Sequence, residues 1–135
     1  MRAAEVGVGF HSHAHRNLGK LSPAEITDDA AKGLALFAAE LGVPPECFAF
    51  PFGHYGSYSV EAISTLKEQG LEMFFTTELG RTPAHSANPI SRIVIHPEDD
   101  TQSFRRKLYG GYDWVGKLRQ VGYSFAGRLS RTRAK

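Results

Sequence analysis

"FAFPFGHYG", residues 48–56, carries an almost wholly apolar run, Cys47 to Phe52, directly into the turn GHYGS. A run this short and this apolar predicts a strand buried on both faces, the kind found inside a parallel sheet. After the turn, Ser59 to Gln69 reads as a helix closed by Gly70. Glu72 to Thr77 (EMFFTT) then reads as a strand, GRTPAHSANP as a loop, and Ser91 to Ile95 (SRIVI) as a further strand. Gln102 to Leu108 and Tyr112 to about Val121 read as helices. Upstream, Ser22-Pro23-Ala24-Glu25 forms a capping box with proline at the first helical position. Ile26, Ala30, Leu34, Phe37 and Leu41 follow at spacings of three and four, and Gly42 with Pro44-Pro45 ends that helix. Glu5 to Phe10 alternates Val6, Val8 and Phe10, which predicts a short first strand. Strands alternating with helices give an α/β fold with right-handed crossovers, whose chemistry gathers beyond the C-terminal strand ends. His11, Gly53, Thr77 and His96 each follow a predicted strand, so that rim is where they converge.

The bulk composition narrows the class. The chain has 135 residues, enough for one core, with 41% hydrophobic and 22% charged residues, as in a soluble globular protein. No apolar run is long enough for a transmembrane helix. MRAAEVGVGF does not read as a secretion signal, which leaves a cytoplasmic location as the default expectation. Cys47 stands alone, so no intrachain disulfide is expected, and it reads as a small buried apolar residue. Six bases and no acid follow Asp113, whereas residues 1–113 hold ten bases and fourteen acids. The expected division is residues 1–112 as the folded domain and 113–135 as a C-terminal helix with a basic tail. In the tail, Trp114, Leu118, Val121, Phe125 and Leu129 form an apolar stripe that predicts docking on the domain. An interfacial membrane helix is the other reading of it, weakened by Gly116, Gly122 and Gly127. Beyond that basic end nothing points to nucleic acid.

"GFHSHAHRNL", residues 9–18, brings His11, His13 and His15 to the end of the first predicted strand. Neutral imidazole is a common ligand for zinc and similar ions. On extended backbone all three would share a face; on a bend His11 and His15 would converge and His13 would point elsewhere. The residues alone leave both geometries open.

Two families resemble this stretch. In the PHP and amidohydrolase metallohydrolases an H-x-H pair ends the first strand, and FHSHAH followed by LSPAEI is similar to it, with His11 and His13 as the pair. The polysaccharide deacetylases (chitooligosaccharide deacetylase-like) carry H-[ST]-x-x-H, a polar stretch and Leu, which His11 to Leu18 matches throughout. FAFPFG also resembles the deacetylases' next motif, F-A-[FY]-P-[FY]-G, at the usual distance. VEAISTLKEQGLEMFFTTELG and NPISRIVI are similar to their following helix and strands. The PHP pattern accounts for none of these, so the chain is identified as resembling the deacetylase family over residues 5 to 96.

That resemblance implies a distorted (β/α) barrel, here partial and lacking its first strand. It also implies a metal-dependent hydrolase removing N-acetyl, sometimes O-acetyl, groups from an acetylated oligo- or polysaccharide. One divalent metal, usually zinc, is implied, with His11 and His15 as ligands, Ser12 as loop support and His13 as a variable position. Phe52 would donate its N–H to the oxyanion, with Gly53 and Tyr55 beside it in the substrate groove. Relatives often carry Arg where Ala49 stands, and Arg92 is the candidate replacement for orienting the base. His96 falls where a general-acid histidine would follow the last strand. Phe48 and Phe50 read as core, and His54 and His85 match no role. The departure is at the start. The family's Asp-Asp motif, source of the base and the third ligand, should lie tens of residues before the histidines. Here ten residues precede His11, and Glu5 is their sole acid. Asp28, Asp29, Glu98, Asp99 and Asp100 are the other acids weighed, and helix-dipole stabilisation and solvation explain them as well. Three expectations follow: a deacetylase impaired because it is truncated, a non-catalytic glycan- or metal-binding remnant, or a PHP-like hydrolase. A missing first strand also predicts self-association through an exposed sheet edge.

Overall fold

The computed structural model describes residues 7–80, 89–116 and 118. A 3₁₀ turn, Leu18–Lys20, leads into helix α1, Pro23–Leu41; then come strand β1, Cys47–Ala49, and helix α2, Val60–Glu68. Strand β2, Met73–Thr76, strand β3, Ile90–Ser91, and helix α3, Thr101–Leu108, complete the order. The sheet runs β1-β2-β3 and is parallel throughout, with Phe48 opposite Phe74 and Phe75 opposite Ile90. On the far side of β1, Phe10 makes a single parallel bridge to Phe48. Among the described residues the predicted first strand is therefore one bridge long, and its start lies outside them. The sheet is open there: no barrel closes among these residues.

Local chemistry sets α1. Ser22 caps it, accepting from the Glu25 N–H, while the Glu25 carboxylate accepts from the Ser22 N–H at 2.9 Å and Pro23 holds the first turn. Gly42 ends the helix in the left-handed region, φ 70°, donating to the Ala38 carbonyl. The Ser22 backbone N–H and then Arg16, 2.9 Å away, hold the Glu25 carboxyl at about 2, down from 4.5. A depressed carboxyl stabilises the fold fully above its unfolded value, and that contribution is lost as pH falls through about 2. Ser22→Ala should cost about 1 kcal/mol in urea unfolding. In the wild type, this helix start should loosen only in the acid limb of a circular-dichroism titration.

The core is largely phenylalanine. Phe48, Phe50 and Phe74 are fully buried with Phe10, Ile26, Ala30, Leu66 and Leu71. Phe10 meets Phe48 edge-on at 5.4 Å, and Phe50 stacks on Tyr58 at 4.8 Å. Gly33 lets α1 approach: a Cβ there would lie 2.4 Å from the Phe10 ring. Cys47, Ala49 and Phe75, which alternate with Phe48 and Phe74 along these strands, are half-buried and face a cavity of about 520 Å³. The prediction of burial on both faces thus holds for one face. Residues 93–95, predicted as strand, join no ladder among the described residues and are exposed, because β3 stops at Ser91.

Candidate active site

The loop after Phe10 is built by the backbone. Phe10 donates to the Cys47 carbonyl at 2.8 Å and accepts from the Ala49 N–H at 2.9 Å, so His11 emerges at the C-terminal edge of the sheet. Its Nδ1 lies 2.6 Å from the Ala49 carbonyl oxygen. A carbonyl only accepts, so Nδ1 carries a proton, and in the neutral imidazole the Nε2 lone pair is the one left for a ligand. Ser12 and His15 both take left-handed conformations, φ 67° and 51°, which fold the loop back on itself. The Ser12 hydroxyl accepts from the His15 N–H at 2.9 Å. The Asp29 carboxylate, buried on α1, accepts from the N–H groups of His13 (3.0 Å) and Ala14 (2.9 Å).

The bend brings the rings of His11 and His15 to 5.0 Å, and His15 to 5.0 Å from Phe52. His13 joins neither ring and backs onto α1 at Gly33. Phe52 (φ 63°) and Gly53 (φ 67°) are consecutive left-handed residues. Gly53 accepts from the Thr77 N–H at 2.9 Å, and the Thr77 hydroxyl donates to the Phe52 carbonyl at 2.8 Å. The rings of Phe52 and Tyr55 are half exposed, and the Phe52 N–H has no partner among the described residues. Arg92 lies at the same cavity as His11 and Phe52, held by its Nε on the Thr76 carbonyl at 3.3 Å. His96 is exposed, is not among the cavity's lining residues, and its N–H donates to Asp99 at 2.7 Å. His85 lies outside the described residues.

Most acids weighed from sequence are engaged elsewhere. Asp28 pairs with Lys32 at 2.6 Å. Asp99 pairs with Lys107. The His96 backbone N–H and then Lys107 hold the Asp99 carboxyl at about 2. Asp100 caps α3. Among the described residues no three His, Cys, Asp or Glu side chains gather as a metal site. Two imidazoles do not complete the three or four donors that zinc takes, so these residues supply half of such a site.

Two features were missed from sequence. Asp29 organises the histidine loop from below. Glu78, following Thr77, accepts from the Tyr58 hydroxyl at 3.0 Å on the same rim, and burial raises its carboxyl against the pull of Tyr58 and His54.

A family model described as polysaccharide deacetylase matches residues 1–74, just over half of the chain. Poly-beta-1,6-N-acetyl-D-glucosamine N-deacetylase of Escherichia coli K12 is 27% identical over 99 residues, 73% of this chain and 14% of that enzyme. The present chain therefore spans about a seventh of the length of that relative. Among solved structures, IcaB from Ammonifex degensii matches with a TM-score of 0.58 and 20% identity, covering 81% of this chain and 49% of that one. A CE4 family pseudoenzyme from Bacillus anthracis matches with a TM-score of 0.48 and 27% identity, over 54% of this chain and 25% of that one.

Proposed function

The chain belongs to the polysaccharide deacetylase family, and from that premise we propose that its sheet rim is a deacetylation centre for an N-acetylated amino-sugar polymer, with hydrolysis impaired in this chain. The observation that carries this is the His11–His15 pair, 5.0 Å apart at the C-terminal end of a parallel sheet, with the His11 tautomer fixed by Ala49. In this reading His11 Nε2 and His15 give two donors to a divalent metal, zinc in the first instance. The remaining donors come from outside the described residues. Such an ion, when bound, acidifies water and polarises the amide carbonyl.

The chain's own residues do the rest. The Phe52 N–H, without a partner among the described residues, is a donor for the oxyanion, where one such donor contributes about 3 kcal/mol to the transition state. The exposed faces of Phe52 and Tyr55 give a sugar ring apolar surface to lie on. Arg92 presents a guanidinium to the cavity and would orient a carboxylate there. His96 would protonate the leaving amine only after moving in, since it does not line the cavity as it stands. Among the described residues no third His, Cys, Asp or Glu joins the two histidines as a metal site, and the Asp29 carboxylate beneath the loop is engaged by the His13 and Ala14 N–H groups. For this reason a glycan- or metal-binding protein without turnover is the second reading.

Zinc titration by calorimetry, beside acetate release from β-1,6-linked N-acetylglucosamine oligomers, tests both. Zinc should bind weakly, with affinity falling at least tenfold in His11→Ala and in His15→Ala, since losing even a hydrogen-bond partner of a ligand costs about that much. His13→Ala should leave it unchanged. Acetate release near background with retained oligomer binding would favour the second reading. Loss of zinc in His13→Ala, with phosphoester hydrolysis in the wild type, would overturn both in favour of the PHP-like pair.

A further inference from the structure

We propose that α3 and the segment after it form a binding surface for an anionic phospholipid bilayer. This inference is independent of the deacetylation reading. The starting observation is that α3 buries none of its residues. Phe104 and Leu108, one turn apart, are both exposed, and Tyr109 is 87% exposed. Trp114 and Leu118, again four apart, are 61% and 62% exposed. The tail stripe was expected to dock on the domain, yet in its described part the apolar side chains face outward.

The docking is done by other groups. Lys107 reaches inward from α3 to Asp99 and to the Val94 carbonyl. Gly116 is buried against the Leu79 carbonyl so closely that a Cβ would lie 1.8 Å from its oxygen. A lysine and a glycine therefore hold this segment to the body. Leu108 and Tyr109 edge a cavity shared with Ile90 and Ile93, yet both, like Trp114 and Leu118, keep more than half of their surface exposed.

Charge selects the partner. Residues 101–135 contain nine bases and one acid, Asp113, whereas residues 1–100 contain seven bases and thirteen acids. Arg105 and Arg106 are exposed beside Phe104 and Leu108, with Arg106 near Asp100. Bases alone would suit any polyanion. Bases interleaved with exposed Phe, Leu, Tyr and Trp suit the boundary between anionic headgroups and acyl chains, where aromatic rings settle and apolar faces leave water. Each base near such a surface strengthens binding roughly fivefold.

Trp114 is the chain's single tryptophan, with its Nε1 donating to the Gly111 carbonyl at 3.1 Å, so its emission reports on this surface alone. The test uses the full chain and vesicles of phosphatidylcholine with or without phosphatidylglycerol. With phosphatidylglycerol, Trp114 emission should shift to the blue, brominated lipid should quench it, and added salt should reverse both. The double substitution Arg105→Glu and Arg106→Glu touches only exposed side chains and should weaken co-sedimentation at least tenfold, by the same per-charge factor. Leu118→Ser should weaken it in the same assay without changing the circular dichroism. Equal binding to vesicles without phosphatidylglycerol, or no quenching by brominated lipid, would overturn the proposal. So would a blue shift that grows with protein concentration in the absence of lipid, or tighter binding to duplex DNA than to the charged vesicles.

Discussion

Asp29→Ala is expected to lower the free energy of unfolding by about 3 kcal/mol, a large share of what a domain of this size possesses. The Asp29 carboxylate accepts two backbone N–H groups, from His13 at 3.0 Å and Ala14 at 2.9 Å. Hydrogen bonds to an ionised acceptor are each about twice as strong as neutral ones, and both donors would be left without a partner. Water would reach the exposed side of the loop, which keeps the figure below the sum for two fully buried bonds. The neighbouring acid is the control. Asp28 makes one exposed ion pair with Lys32, four residues on, and Asp28→Ala should cost about 0.5 kcal/mol or less. Urea unfolding of the two variants should therefore separate by several-fold in energy. Asp29→Asn should fall between wild type and Asp29→Ala, since its oxygen replaces one acceptor while its amide N–H faces the other donor. Zinc affinity should fall in Asp29→Ala although Asp29 is no ligand, because the left-handed turn that brings His15 to His11 loses its anchor. An Asp29→Ala protein as stable as Asp28→Ala would show that the loop holds itself.

Local rules wrote the legible parts of this fold. The start and stop of α1 follow from Ser22, Pro23, Glu25 and Gly42, all acting on residues within one turn. The parallel pairing of β1 with β2 follows from helix α2 between them, whereas no helix is described between β2 and β3, whose pairing is also parallel. The meeting of His11 with His15 was one of two geometries the spacing allowed, and long-range contact with Asp29 accompanies the one seen. A signal for Asp29 was present: with Ile26, Ala30 and Gly33 it lies at spacings of three and four on the buried face of α1. A carboxylate on an apolar stripe needs a partner, and here the partner is a loop. Other misreadings share one cause, that apolar content does not say which side is covered. Cys47 to Phe52 buries Phe48 and Phe50 but turns Cys47 and Ala49 to a cavity. The run at residues 93–95 has strand composition but joins no ladder among the described residues. Trp114 and Leu118 looked like the docking face, and Gly116, which carries no hydrophobic signal, is the residue that docks. Val121, Phe125 and Leu129 lie outside the described residues.

Gly53→Ala carries the other large expected effect, and Gly56→Ala supplies its reference. Both glycines are left-handed, φ 67° and 87°, so any L side chain there costs about 1 kcal/mol in backbone strain alone. At Gly56 nothing lies within 4 Å of where a Cβ would stand, and that strain is the whole expected cost. At Gly53 the Cβ would lie 2.7 Å from the Thr77 backbone nitrogen and 2.8 Å and 2.9 Å from its Oγ1 and Cγ2. The threonine side chain could rotate, but its N–H is fixed by donating to the Gly53 carbonyl at 2.9 Å. Relief requires β1 and β2 to part at their C-terminal ends, which also pulls the Thr77 hydroxyl off the Phe52 carbonyl. The total should reach about 3 kcal/mol, strain plus overpacking against backbone. Urea unfolding should thus show Gly53→Ala to be about 2 kcal/mol worse than Gly56→Ala, by the same overpacking scale. The damage falls on the rim itself, since the exposed Phe52 ring and the Phe52 N–H ride on this turn. Oligomer binding should weaken in Gly53→Ala under conditions where the protein is still folded, and stay near wild type in Gly56→Ala. Equal stabilities for the two variants would mean that the strand ends separate freely, and a rim that loose could not hold Phe52 against His15.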